Sequence, residues 1–134
     1  MANYSGTARS NYFKVRNAAA FKAAIDAIAE LAYWETNGTF AVYSCDPDTG
    51  CWPSVEVNPD AEETETLHMA DILAPHLGDG EVVVLMQTGH EKLRYLSAHA
   101  EAFDNTGKMV RLALSDIYDK AKEAFGVEPN PAEY

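Results

Sequence analysis

The spacing of apolar side chains changes period several times along the chain. Residues 10–16, SNYFKVR, set Phe13 and Val15 on one side and Tyr12, Lys14 and Arg16 on the other, the alternation of a half-buried strand. Over residues 18–32 the period becomes helical. Phe21, Ala24, Ile25, Ile28 and Leu31 share one face, Asn17 stands at the cap position, and several alanines favour the helix. YWET and TFAVYS then flank Asn37-Gly38, a pair that tolerates the positive φ of a tight hairpin turn.

Residues 46–66 carry Asp, Pro, Glu, Asn and Thr with only VEV as a strand-like stretch, so they read as a long acidic loop. A helix follows, capped by Thr64 or Thr66, with Met69, Ile72, Leu73 and Leu77 inward; Pro75 ends it near residue 74. EVVVLMQT (81–88) is the most apolar strand and belongs at the centre of a sheet. Strands over about 93–103 and 108–114 come next, with DNTG as the turn between them. Ser115 opens a last helix over 116–125, with Ile117, Ala121, Ala124 and Phe125 inward and Gly126 as its left-handed stop. Residues 127–134 read as a frayed tail.

Hairpin links dominate this order. The expected fold is one α+β domain over residues 1–134, a central, largely antiparallel sheet with about three helices packed on it. Its expected core is Phe13, Val15, Phe21, Ile25, Ile28, Val82, Val84, Leu112, Ile117 and Phe125.

Charge changes the picture. The chain has 10 Lys and Arg against 21 Asp and Glu, a net charge of −11. Residues 1–22 hold Arg9, Lys14, Arg16 and Lys22 and no acid, whereas residues 23–91 hold 14 acids and no Lys or Arg. Two readings follow: a solvated face that serves solubility, or a negative surface offered to a basic partner. On the second, Asp46, Asp48, Glu56, Asp60, Glu62, Glu63, Glu65 and Asp71 form the partner-binding set, with Trp52 as apolar anchor. Trp52 could equally plug the core. Direct nucleic-acid binding is disfavoured, because affinity for phosphate comes mainly from Lys and Arg. The N-terminal cations are expected to neutralise the protein's own acids.

Catalytic chemistry has no recognisable setting. No G-x-S-x-G, P-loop or G-x-G-x-x-G occurs. DPDTG departs from a calcium loop, having Gly50 at the fifth position and Val57 at the twelfth, and reads as an Asx turn. Cys45 and Cys51 bracket it, and in a reducing compartment such a pair is more often free than bridged. His68, Asp71 and His76 are the nearest approach to a His/Asp enzyme site, but their spacing is no known metal signature. No catalytic residue, metal or cofactor is expected. No apolar run reaches the roughly 20 residues of a membrane span, and no secretory signal opens the chain, so a cytoplasmic location is expected.

The runs TARSNYFKV (7–15), CWPS (51–54), 73–103 and LSDIYDKA (114–121) together resemble a family of small bacterial proteins of plasmids, integrative elements and phages. The resemblance implies a mobile-element accessory protein, a group that includes inhibitors of host restriction and CRISPR defences. It brings no catalytic residues. The favoured function is therefore a non-enzymatic acidic inhibitor or adaptor, monomeric or dimeric, that competes as a DNA mimic for a basic nucleic-acid-binding protein. The alternative is a structural or housekeeping domain, perhaps dimeric through an open sheet edge, whose acids serve only solubility.

Overall fold

A computed structural model describes residues 5–57, 65–92 and 95–132. The chain forms β1 (Ser5–Ser10), α1 (Ala18–Asp26), β2 (Leu31–Thr36), β3 (Thr39–Ser44), β4 (Val55–Val57), β5 (Glu65–Leu67), α2 (Met69–Leu73), β6 (Val83–Glu91), β7 (Tyr95–Phe103), β8 (Met109–Ala113) and α3 (Asp116–Phe125). A 3-10 turn, Ala74–His76, follows α2 and contains Pro75. Six strands make one sheet in the order β2-β3-β1-β6-β7-β8, every pairing antiparallel; β4 and β5 pair separately. The fold is α+β, and β6 lies inside the sheet between β1 and β7.

Local chemistry accounts for the elements. Asn37 (φ 51°) and Gly38 (φ 79°) both take left-handed backbone, the requirement of the tight turn joining β2 to β3. Asn17 Oδ1 accepts from the Ala20 N–H at 3.0 Å and caps α1. Gly126 closes α3 at φ 72°. The core gathers Phe21 and Ile25 of α1, Met69 and Leu73 of α2, and Leu77 over the inner sheet face, which supplies Phe40, Val42, Val83, Leu85 and Phe103. Phe13 and Phe21 meet edge to face at 5.8 Å, and Phe21 and Phe40 lie tilted to each other at 4.9 Å.

Several boundaries and faces differ from the sequence reading. The first strand lies at Ser5–Ser10, ahead of the expected 10–16, because its inward residues are the small Ala8 and Ser10, which carry no apolar signal. Ser10 is buried yet satisfied: its hydroxyl donates to Asn11 O and accepts the Val42 N–H, both at 2.8 Å. Phe13 still reaches the sheet through an isolated bridge to Phe40, while Val15 bridges Leu77 at the end of the 3-10 turn. The first helix stops at Asp26, and Leu31 opens β2 opposite Ser44 instead of extending the helix.

Thr66 lies in β5 and caps nothing; His68 occupies the cap position of α2, and Thr64 lies outside the described residues. Ser115 sits at the cap position of α3 without a side-chain hydrogen bond. Instead Asp116 Oδ2 accepts the Ala113 N–H at 2.8 Å.

Four expected core residues are exposed: Val82, Leu112, Ile117 and Phe125. Val84 is only half-buried. Along β6 the inward residues are Val83 and Leu85, one position out of step with the expected pair. In a strand that single step sends a side chain to the opposite face.

Candidate interaction surfaces

Asp46 begins a turn that consumes its own carboxylate. Oδ1 accepts the Asp48 N–H at 2.8 Å, Oδ2 accepts the Thr49 hydroxyl at 3.1 Å, and the Asp46 carbonyl accepts the Gly50 N–H at 3.1 Å. The Asp48 N–H is the main cause of a carboxyl held below the usual aspartate range, against a small opposing effect of desolvation. Gly50 (φ 67°) then passes directly against Gly6 of β1. A β-carbon on Gly50 would run into Gly6 O, and one on Gly6 would meet Thr49 O. The turn is thus docked on the sheet through two glycines. Cys45 and Cys51, on either side of it, are free thiols.

The expected acidic set is therefore divided. Asp48 is exposed. Glu56 lies opposite Thr66, and Glu65 opposite Val57, in the β4–β5 ladder. Asp71 turns back to accept the His68 N–H at 2.9 Å and so serves the start of α2. Asp60, Glu62 and Glu63 lie outside the described residues. None of Asp46, Asp48 and Asp71 makes an ion pair with a described residue. The recorded pairs are Arg16–Asp79 (3.2 Å), Lys22–Glu35 (3.3 Å), Arg111–Glu101 (3.2 Å) and Lys122–Glu128 (3.9 Å).

Two of the N-terminal cations are thereby matched to acids of the same chain. A third, Arg9, lies over the Trp34 ring at 4.9 Å, and Trp34 stacks on Tyr43 at 4.3 Å. Trp52 packs against the core, half-buried, and its backbone N–H donates to Gln87 Oε1 at 2.9 Å. Its indole Nε1 is buried without a partner among the described residues.

Beside Trp52 opens a cleft of about 540 Å³, bounded by Met69 and Leu85 and by the polar side chains of His68, Gln87, His99, Glu101 and Arg111. The register explains the polar floor: Gln87 lies opposite His99, and Glu101 opposite Arg111. The suspected trio of His68, Asp71 and His76 is not assembled. Only His68 lines the cleft, Asp71 caps α2, and the His76 ring stands edge-on to Phe21 at 6.1 Å. Among the described residues no three of His, Cys, Asp and Glu come close enough to hold a metal ion.

The surface missed in the sequence is the outer face of the sheet, the one turned away from α1 and α2. Along β6, β7 and β8 the register aligns Val84 with Ala102 and Val110, and Met86 with Ala100 and Leu112. Met86, Ala98, Ala100, Leu112 and Leu114 line a shallow apolar groove. A hint was present: LRYLSAHAEAF alternates with alanines on the side opposite His99 and Glu101, so neither face of that strand is wholly polar. No described helix is long and apolar enough to cross a membrane. Compared with known proteins, the chain matches no family model, no curated protein and no solved structure.

Proposed function

We propose that this chain is a non-enzymatic acidic binding protein that engages a basic, nucleic-acid-binding protein in the cytoplasm through its 46–71 side. One observation carries the reading. Among the described residues, none of Asp46, Asp48 and Asp71 is matched to a cation. Arg111, which lines the cleft beside Trp52 and His68, is already paired with Glu101 at 3.2 Å. A net charge of −11, with 14 acids and no Lys or Arg over residues 23–91, favours a cationic partner and disfavours nucleic acid.

Duplex DNA carries a charge every ~1.7 Å of its axis, so carboxylates spread along one side compete for the same basic groove. Inhibition of a host defence protein is the role that fits such competition in a mobile-element accessory protein. The test is capture of partners from the native host on immobilised protein, followed by elution with salt and by competition with duplex DNA. Retained proteins should be basic and displaced by both. Retention indifferent to salt and to DNA would contradict the proposal and leave the acids a solubility role.

A further inference from the structure

The outer sheet face and α3 share one deficiency. Val82, Met86, Leu96, Val110, Leu112 and Leu114 are all large apolar side chains exposed on or beside β6–β8, Leu112 to the extent of 64%. On α3, Ile117, Ala121, Ala124 and Phe125 fall on one stripe, yet none of its residues is buried, and Phe125 is 79% exposed. A helix of ten residues is marginal in water unless its apolar stripe is covered. Local bonds start it directly at the end of β8: the Leu114 N–H donates to Ala98 O at 2.7 Å, the Ala113 N–H to Asp116 Oδ2, and the Ile117 N–H to Leu114 O at 3.2 Å.

We infer that the outer face of β6–β8 is a homodimer interface, in which α3 of each copy lays its apolar stripe in the groove over Ala98 and Ala100 of the other. Three features on the molecule select a second copy as the occupant. First, the chain itself carries both complements, a groove without a helix and a helix without a groove, and a two-fold axis satisfies both at once.

Second, the area is adequate. The six sheet residues with Ile117 and Phe125 are each 49–79% exposed, an apolar surface on the order of several hundred Å², the scale of the ~800 Å² per partner of a stable interface. Third, two chains of net charge −11 repel each other, and the groove that would receive α3 presents no carboxylate to the acids of that helix. The outward residues around the groove, Val84, Met86, Ala98, Ala100, Ala102, Val110 and Leu112, include no carboxylate; the ionisable groups on the same face are His90, opposite Leu96, and Arg9 of β1, opposite Met86.

Sedimentation of the wild-type chain over roughly 1–100 μM, a span that brackets a micromolar interface, tests the inference. A dimer that dissociates on dilution, or remains intact throughout, is expected; a monomer at every concentration overturns it and assigns the face to a different partner. Met86→Glu with Leu112→Glu, and separately Ile117→Glu with Phe125→Glu, should each give a monomer with the far-ultraviolet circular dichroism of β6–β8 and α1 retained. A dimer that survives the α3 pair overturns the exchange of helices. Hydrogen exchange needs no variant: amides of α3 should lose protection whenever the wild-type dimer is diluted or dissociated by mild urea. Protection of α3 that is the same in monomer and dimer overturns the inference.

Discussion

Met86 and Leu112 stand on opposite sides of Ala100, Met86 facing it in the β6–β7 register and Leu112 in the β7–β8 register. A small residue between two large exposed ones makes a groove, not a ridge, and leaves apolar surface in water on both of its walls. Mass action then links stability to concentration, because whatever binds the native chain raises its melting temperature. Scanning calorimetry at rising protein concentration should show a rising melting temperature for the wild type and a constant one for Met86→Glu with Leu112→Glu.

Gly50 and Gly80 both take left-handed backbone, φ 67° and 77°, but only Gly50 is crowded. A β-carbon at Gly80 meets nothing within 4 Å, whereas one at Gly50 collides with the Gly6 backbone. Gly80→Ala should cost about 1 kcal/mol, the price of the dihedral alone, and Gly50→Ala clearly more. Urea unfolding of the two variants under one set of conditions reads the difference. Equal losses would mean that the 46–50 turn is not docked on β1.

Asp46 and Asp104 have carboxyls held below their ordinary range. The Asp48 N–H is the leading cause for Asp46, and the Thr106 hydroxyl for Asp104. A lowered folded value means that the native state favours the ionised form. The stability they contribute is therefore complete above the unfolded value of about 3.9 and disappears as pH falls through the folded one. Asp46→Ala and Asp104→Ala should lower the melting temperature at pH 7, and the gap from wild type should close as the pH is taken below the folded values. A gap that stays constant on acidification would contradict the assignment.

Neighbouring valines on β6 provide a test of which face is which. Val83 is fully buried and Val82 is half exposed. Val83→Thr should lose about 1–3 kcal/mol by burying a hydroxyl. Val82→Thr should stay within about 0.5 kcal/mol in dilute, monomeric protein. Denaturant midpoints measured at low concentration decide it.

The same pair shows where sequence reading worked and where it stopped. Asn37-Gly38, Pro75 and Gly126 act through their own backbone and Asn17 through its side-chain oxygen, so the hairpin, the cap of α1 and the ends of α2 and α3 were legible from local residues. The strand at 81–88 was legible from its length of apolar chain, but a run of VVVLM has apolar residues on both faces and does not say which side is the core. β1 escaped because its inward positions are Ala8 and Ser10, chosen for fit in mid-sheet and not for hydrophobicity. The stripe of Ile117 and Phe125 reads as an inward face from its period, but it is uncovered in a single chain, a tertiary fact no period contains. The Asx turn at Asp46 was legible from DPDTG, whereas Asp71 carries no such local signal and only geometry places it on the His68 N–H.

The proposal of an acidic surface meeting a basic partner is tested most directly by the association rate with the captured host protein, measured against salt and charge reversal. Exposed charges are screened beyond ~10 Å at 0.1 M salt, so electrostatic steering fades steeply as salt rises. The wild-type rate should fall by at least tenfold between about 50 and 500 mM salt, the span over which the Debye length contracts from above 10 Å to a few ångströms. Replacing Glu62, Glu63 and Glu65 with lysine should slow association at low salt and flatten that dependence. The variant should fold as the wild type does, since the change relieves repulsion in a stretch that has no cation of its own. A rate that is the same at both ends of the salt range and unmoved by the reversal would contradict the account.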